Sequence, residues 1–296
     1  MRQLRKAKQA SSENASPERH RGAAGVAARA GRPRVRIVTA VLLVTFVSLI
    51  AVSTFAKLSG WGEQPRGPSA AIVDQLSLTF PDPGFVESAA RTLEEVGYEA
   101  DYYPGQEVTV DFYQDLLSRG YQLIILRVHS SVSILGSDPP TVTDNLALFT
   151  SEAYRPAGHV AEQRAGRVTR VAFDADGAQY FGVYADFLES LTSEQSADTT
   201  IVLMGCDGLR FDKAARAFLH EGAQTVIGWD GGVSAAHTDA ATEHLLQHLL
   251  IDRLPVGEAV AQTMADVGPD PAYGSSLLFY PPESVAGGPE EAYLAP

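Results

Sequence analysis

The stretch TTIVLMGCDG, residues 199 to 208, predicts a strand that opens into a turn. Its apolar run continues up to Gly205 without polar alternation, which is typical of a strand buried on both faces of a parallel sheet. Cys206 follows directly and is the only cysteine in the chain. A second run of the same kind, QLIILRVHSS at residues 122 to 131, carries His129 near its end. Two such strands predict an open α/β sheet.

Helical patterns alternate with strand patterns from residue 70 onward. Residues 83 to 98 have apolar side chains at helical spacing, and residues 109 to 121 predict a second helix with Asp111 as its N-cap and Gly120 as its stop. The segment GRVTRVAFDADGAQYFGV predicts a hairpin about an Asp-Gly turn. The first strand is predicted in AAIVDQLSL, which begins at residue 70, and further strands in EADYYPG, TVIGW and SSLLFY. Further helices are predicted in VYADFLESLTS, DKAARAFLHEGA, AAHTDAATEHLLQHLLIDR and PVGEAVAQTMADVG.

The charge is divided unevenly along the chain. The 296 residues carry a net charge of -13, but the first 36 hold ten Lys or Arg and two Glu, which leaves 13 basic and 34 acidic side chains in the rest. A domain this acidic repels phosphate, which argues against nucleic acid as a partner. A single cysteine also excludes an intramolecular disulfide.

An uncharged apolar run follows the basic N-terminus. The twenty residues Ile37–Ala56 contain no Pro or Gly, and as a helix they would span about 30 Å, the thickness of a bilayer's hydrocarbon core. We therefore expect residues 35–56 to cross the lipid bilayer of the cell membrane once. Because the basic residues precede this segment, the N-terminus is expected in the cytoplasm and the main domain outside. The alternative is a signal peptide cleaved after Ala56.

The expected organisation of the chain has five parts, and the sequence gives no indication of an oligomeric state. They are a disordered basic cytoplasmic tail (1–34), a transmembrane helix (35–56), a linker (57–69), an α/β domain (70–282) and a flexible C-terminal tail (283–296).

Two groups with complementary chemistry stand at the ends of the two apolar strands. Ligands and catalytic groups of open α/β sheets gather beyond the carboxyl ends of the strands, so neighbouring strands would bring His129 and Cys206 to one rim. A thiol needs a base to become a nucleophile at neutral pH, and the same base can protonate a leaving group. Gly205 and Gly208 would let the backbone turn sharply and present amides to an oxyanion.

A strand that ends in His, followed by a strand that ends in Gly-Cys-x-Gly, resembles the caspase-haemoglobinase fold of the clan CD cysteine peptidases. The segments FLHEGAQTVIGW and VGEAV look most like the CHAT-domain and gingipain branches, and the resemblance covers roughly residues 70–282. It implies a three-layer α/β sandwich with a mostly parallel central sheet. It also implies an endopeptidase that cleaves protein or peptide substrates without a metal or an organic cofactor.

The resemblance assigns roles only where residues match. His129 matches the catalytic histidine, Cys206 the nucleophile and Gly208 the glycine of Cys-x-Gly. The amides of Cys206 and Ser130 are expected to hold the oxyanion. The family usually has Gly where this chain has Ser130, and it favours Ala where this chain has Gly205. Two departures from the family pattern therefore flank the dyad.

Three further residues at strand ends are expected at the substrate. Asp207 and Asp230 could form an acidic pocket for a basic side chain, as in several Arg- or Lys-specific relatives, and Trp229 could line that pocket. The alternatives are capping or solvation for the two aspartates, and packing on the sheet edge for Trp229.

Two motifs could bind metal. His244 and His248 share one helix face, but HLLQH has no catalytic Glu between them, so a solvated helix face is the interpretation we favour. DADG at residues 174 to 177 lacks the other ligands of a calcium loop, which favours a hairpin turn. The sequence therefore predicts no metal site.

A second function is compatible with the same sequence, namely a non-catalytic ectodomain that binds or scaffolds partners. An accessible Cys206 facing His129 favours the enzyme, and a buried Cys206 favours the binding module. A flavodoxin-like receiver is disfavoured, because only Asp74 stands at the end of the first strand where an acidic triad is needed.

Overall fold

The computed structural model describes residues 67–136, 140–173, 177–191 and 198–281. The predicted cytoplasmic tail, transmembrane helix and C-terminal tail lie outside the described residues, as does the linker up to residue 66. Within the described ranges, no helix is both long and apolar enough to cross a membrane.

A six-stranded sheet forms the centre of the domain, and the first five of its strands are parallel, as predicted. The sixth, at one edge, runs antiparallel to its neighbour. All residues of the central strand Leu123–Arg127 are buried, because both faces of the sheet are covered. In spatial order the strands are β2 (Glu99–Pro104), β1 (Ser69–Asp74), β3 (Leu123–Arg127), β8 (Thr199–Leu203), β9 (Ala223–Trp229) and β10 (Leu277–Tyr280).

Seven α-helices occur in the described part of the chain, and the sixth continues in a π-helical turn, Gln247–Ile251. The helices are α1 (Pro83–Glu95), α2 (Val110–Leu116), α3 (Val160–Arg164), α4 (Ala185–Leu188), α5 (Lys213–His220), α6 (Ala235–Leu246) and α7 (Val256–Val267).

The strands bury alternate residues in two separate hydrophobic clusters, because successive side chains of a strand point to opposite faces. On one face, Ile72 and Ile125 belong to a cluster that includes residues of α1, α6 and α7. On the other face, Val73 and Ile124 belong to a cluster that includes residues of α2, α4 and α5. The domain is therefore a three-layer α/β structure with helices on both faces of the sheet.

A second sheet of four antiparallel strands packs in the same cluster as α2, α4 and α5. Its hairpin of β6 (Val168–Ala172) and β7 (Gln179–Tyr184) confirms the predicted pairing, although residues 174–176 of the turn lie outside the described residues. The sequence predicts neither of the other two strands, and the first of them begins at Ser130, inside the segment 122–131 that is interpreted as one strand. The spatial order is β4 (Ser130–Leu135), β5 (Thr141–Ala153), β7 (Gln179–Tyr184) and β6 (Val168–Ala172).

The first sheet gives way to the second just before the predicted site. β3 ends at Arg127, and the carbonyl of His129 already accepts a hydrogen bond from the N–H of Phe149 in β5 at 2.9 Å. His129 therefore lies in the short link between the two sheets, two residues beyond the strand that the sequence predicted to contain it.

One helix start and one helix length differ from the prediction. Thr109, not Asp111, caps α2, because its hydroxyl accepts from the N–H of Phe112 at 3.1 Å. The segment predicted as a long helix after the hairpin forms only one turn, α4, because its first residues complete β7. The stop at Gly120 is confirmed, with φ 76°.

A buried arginine joins the carboxyl ends of β1 and β3 to α6. Arg127 is fully buried, and its Nη1 lies 2.7 Å from Oδ1 of Asp74. Its Nε and Nη2 lie 2.7 Å from the two carboxylate oxygens of Asp239, and Nη2 also donates to the carbonyl of Phe80 at 2.8 Å. Burial alone would lower the pKa of Arg127, but the hydrogen bonds to Asp239 and Asp74 outweigh it and raise the pKa.

We predict that Arg127→Met destabilises the domain strongly. It leaves two buried carboxylates without their cation, and breaking a buried ion pair on one side costs about 3–5 kcal/mol. The measurement is the free energy of unfolding in urea of the full-length protein in detergent. The matched control is Arg216→Met, because Arg216 pairs with Asp212 at a largely exposed site, where about 0–1 kcal/mol is expected. Equal losses in the two variants would contradict the prediction.

Candidate active site

The carboxyl ends of β3 and β8 open into one cavity. Leu126 pairs with Leu203 across the two parallel strands, so the segments that follow these strands emerge at the same rim of the sheet. The cavity has a volume of about 630 Å³, and both His129 and Cys206 line it. The structure therefore brings the predicted imidazole and thiol to a common cleft.

The thiol of Cys206 is partly buried and bonded to the backbone. Its Sγ accepts from the N–H of Val233 at 3.4 Å and lies 3.7 Å from the carbonyl oxygen of the same residue. Burial raises the pKa of Cys206; the hydrogen bond with Val233 lowers it, and the carboxylates of Asp207 and Asp270 raise it further. The net pKa lies above the ordinary value, so the thiol is protonated at neutral pH.

The imidazole of His129 lies among aromatic rings. The ring centroids of Phe173, Phe80 and Phe149 are 4.7, 5.9 and 6.0 Å from its own. Its Nε2 is 2.9 Å from Oγ1 of Thr79, in the segment that follows β1. Two of the three phenylalanines come from the second sheet or its β6 end, so that sheet forms one wall around the imidazole.

This enclosure determines the charge of the dyad. Burial, and after it the positive charge of Arg127, lowers the pKa of His129 to about 4. The imidazole is therefore neutral at physiological pH and can accept a proton. Among the described residues no hydrogen bond joins His129 to Cys206. The resting pair is thus a thiol and a neutral imidazole, and catalytic hydrogen bonds of this kind often form only with substrate bound.

Ser130 and Gly205 meet directly beside Cys206, which lies in the loop of residues 204–210 that follows β8 (the thiol loop). The hydroxyl of Ser130 donates to the carbonyl oxygen of Cys206 at 2.6 Å. A Cβ on Gly205 would overlap both the Ser130 hydroxyl and the carbonyl oxygen of Val128. Gly205 therefore leaves room for the Ser130 hydroxyl, although the Val128 carbonyl alone would already exclude a Cβ at this position.

The backbone N–H groups at Cys206 and Asp207 differ in their hydrogen bonding. The N–H of Cys206 forms no hydrogen bond with another described residue, whereas the next N–H, of Asp207, donates to the carbonyl of Gly231 at 2.8 Å. Ser130 is buried and pairs with Leu148 at the start of β4, so the oxyanion role of its amide stays a prediction.

Gly208 lies where the thiol loop turns back over β8. A Cβ there would be 3.1 Å from the Cβ of Leu203, so glycine permits the close approach of loop and strand. Asp207, just before it, has a left-handed backbone with φ 60°. The oxyanion role predicted for Gly208 is not tested by this packing.

The three residues predicted at the substrate do not line the cavity. Trp229 is 1% exposed, and its Nε1 donates to a threonine hydroxyl of α6 at 2.9 Å. Asp230 accepts from a backbone N–H just before β10 at 2.8 Å. Asp207 pairs with Arg210 at 3.2 Å. Each side chain has a structural partner, which corrects the expectation of an acidic pocket with Trp229 in its wall.

The cavity is instead lined by uncharged side chains that the sequence analysis missed. None of its lining residues in the described structure is Asp, Glu, Lys or Arg. No local motif marks these residues, because they come from separate segments: the turn after β1, the end of β6, the end of β8 and the loops that flank α6 and α7. The large apolar side chains that line the cavity are Leu76, Phe80, Val128, Phe173, Met204, Val233 and Tyr273.

A metal ion would find few ligands in this cleft. His129 and Cys206 are the imidazole and thiol of its described lining, which contains no carboxylate, whereas catalytic zinc uses three protein ligands. The described residues bring three suitable ligands together at a different place, where His244, His248 and Asp266 meet.

We predict that Gly205→Ala lowers the free energy of unfolding by about 1–3 kcal/mol, the usual cost of forcing a methyl into a packed site. The new Cβ would collide with Ser130 and Val128. The matched variant is Ser130→Gly/Gly205→Ala, which removes the hydroxyl but keeps the Val128 carbonyl and should recover part of the loss. A single variant as stable as the wild type would show that the contact is not tight.

We also predict that Cys206 alkylates slowly at neutral pH. Its raised pKa keeps it protonated, so the rate with iodoacetamide should climb about tenfold per pH unit to beyond the ordinary thiol range. Mass spectrometry of the sole cysteine gives the rate. The same protein unfolded in urea is the control and should show an earlier midpoint. A rate plateau between about pH 5 and 7 would instead reveal a thiolate–imidazolium pair.

Comparison with known proteins leaves the function to be argued from this geometry. No protein-family model matches the chain, and no curated protein matches it. The chemistry of the cleft is therefore the basis for a functional conclusion.

Proposed function

We propose that the domain is a cysteine-type hydrolase that cleaves peptide bonds, with Cys206 as the nucleophile and His129 as the general base. One observation carries the proposal: the chain's sole cysteine and His129, which follow neighbouring parallel strands, line the same open cavity. The resemblance to clan CD cysteine peptidases, which rests on the same two residues and their strands, implies the same roles.

The chemistry can be written with these groups alone. Sγ of Cys206 attacks the carbonyl carbon as the thiol proton passes to His129, and the carbonyl oxygen takes up negative charge near the Cys206 N–H. Collapse breaks the carbon–nitrogen bond, and His129 returns the proton to the leaving amine. A water molecule, deprotonated by His129, then hydrolyses the thioester and restores the thiol.

The neutral resting state fits a mechanism in which proton transfer accompanies attack. A base with a pKa of about 4 cannot hold a thiolate–imidazolium pair before substrate binds. Substrate would bring the developing oxyanion and thiolate character that stabilise the imidazolium. His129 can act as a base only at a pH above its pKa. The value of kcat/KM, which reports the pKa values of the free enzyme, should therefore be retained at neutral pH and lost as the pH falls through about 4.

The lining of the cavity favours an apolar substrate side chain. Phe80 and Tyr273 line it and are 54% and 65% exposed, so they are available for contact at its mouth, and the described part of its lining contains no charged side chain. An uncompensated charge in such a pocket would lose solvation without a partner. We therefore propose a large apolar residue at the cleavage site, in place of the basic residue expected from Asp207 and Asp230.

The cellular setting belongs to the same proposal. The uncharged run Ile37–Ala56 would anchor the protein in a membrane, with the basic tail in the cytoplasm and the hydrolase domain outside. The substrate would then be an extracytoplasmic protein or peptide.

A non-catalytic binding module is the second candidate. It is favoured by the resting hydrogen bonds, since the thiol is engaged by Val233 and the imidazole by Thr79. In that role the same apolar cavity would hold a peptide side chain without cleaving it.

We predict that peptidyl acyloxymethyl ketones with Leu or Phe at P1 label the protein at Cys206, faster than probes with Lys, Arg or Asp. Cys206→Ala should abolish labelling, and His129→Ala should slow it by about 100-fold or more, as expected for loss of a general base. The matched control is His220→Ala, because His220 is exposed and lies outside the cleft. The readout is intact-mass spectrometry against time.

Two outcomes would separate the candidate functions. If no probe labels Cys206 while iodoacetamide at high pH does, the thiol is accessible but not activated, and the binding module is favoured. If His129→Ala labels as fast as the wild type, the imidazole is not the base.

A further inference from the structure

A group of metal-ligating side chains lies on the surface where the end of α6 meets α7. His244 is in the last turn of α6, and His248 follows in the π-helical turn Gln247–Ile251. Asp266 projects from the last turn of α7. The three ligand atoms all lie within 4.8 Å of one another. The two histidines, which share one face of the same helical segment, are thus joined by a third ligand from the neighbouring helix α7.

The distances suit a tetrahedral ion. With zinc bonds of about 2.0–2.1 Å, neighbouring ligand atoms of a tetrahedron are about 3.3 Å apart. Nε2 of His248 is 2.8 Å from Oδ2 of Asp266, and Nδ1 of His244 is 3.3 Å from the same oxygen. The side chain of His244 is 49% exposed, so it can rotate to shorten the remaining separation without repacking the core.

Two further groups hold the ligands in place. Oδ2 of Asp252 lies 2.8 Å from Nδ1 of His248, the ring nitrogen that faces away from Asp266. The amide of Gln262 donates to Oδ1 of Asp266 at 3.1 Å. A carboxylate behind a metal-ligating imidazole fixes its orientation and raises its basicity. His248 is also the least exposed ligand, at 12%.

This group is separate from the cleft. α6 begins at the cavity, which Ala235 lines, and His248 comes thirteen positions later, about 20 Å along the helix. None of the three ligands lines the cavity. A metal here would tie α6 to α7 at the end remote from the dyad.

We propose that His244, His248 and Asp266 form a binding site for one divalent transition-metal ion, with zinc as the best match and water completing the coordination. Two imidazole nitrogens and one carboxylate oxygen are a donor set that zinc accepts, whereas magnesium and calcium prefer all-oxygen ligands. The inference is independent of the proposed hydrolase chemistry. It revises the interpretation of HLLQH as a solvated helix face.

The test uses the untagged full-length protein in detergent, stripped of metal, at neutral pH. Isothermal titration with zinc chloride should show one saturable equivalent, and cobalt(II) should give the visible absorption of a tetrahedral nitrogen–oxygen site. Zinc should also raise the melting temperature. Absence of saturable zinc binding in the wild type would overturn the proposal.

The variants locate the ion. His248→Ala and Asp266→Asn should each weaken zinc binding by about 100-fold or more, and Asp252→Asn by about 10- to 100-fold. His220→Ala, another exposed histidine, and Cys206→Ala should leave binding unchanged. Asp266→Asn preserves shape, so it keeps the test valid if His248→Ala fails to fold. Wild-type affinity in Asp266→Asn, or loss of binding in Cys206→Ala, would place the ion elsewhere and overturn the proposal.

Discussion

The ion pairs of the buried Arg127 guanidinium with Asp74 and Asp239 hold together the rim of the sheet at which the candidate site lies. The guanidinium fixes the carboxyl end of β3 to β1 through Asp74 and to α6 through Asp239. Two residues later the chain reaches His129, so the ion network determines where the imidazole stands. The charge of Arg127 also helps to lower the pKa of His129. The same group that orders the rim of the sheet therefore adds to the effect of burial, which is the main cause of the lowered pKa of His129.

Close packing and hydrogen bonds fix the position of Cys206. Ser130 holds the carbonyl of Cys206, and Gly205 leaves room for it. The thiol is then held by Val233 and kept protonated by burial. A protonated thiol and a neutral imidazole that line an apolar cavity are suited to react with a bound substrate. They are less suited to react with small molecules in solution when no substrate is bound. Such a resting state would also limit oxidation of the sole thiol.

Much of the fold could be predicted because it is written in local periodicity. The apolar runs around Ile125 and Val202 and the helical spacing after residue 83 led directly to the parallel sheet and its covering helices. The second sheet was half missed, since the chain leaves β3 at a point with no Gly or Pro to mark it. Arg127 was missed for a different reason: its partner Asp239 is 112 positions away, and no local pattern records that contact.

The site followed the same division. His129 and Cys206 could be placed together because the ends of parallel strands share a rim. The cavity wall, including Phe80 and Tyr273, comes from loops whose positions depend on packing between distant segments.

We propose that Cys206 acts by covalent catalysis with His129 as its base. The most direct measurement is intact-mass spectrometry during turnover of an activated ester with an apolar acyl group. We predict a transient thioester on Cys206 that forms and hydrolyses in the wild type, and that forms about 100-fold or more slowly in His129→Ala, which lacks the base. Ester hydrolysis that continues unchanged in Cys206→Ala would contradict it.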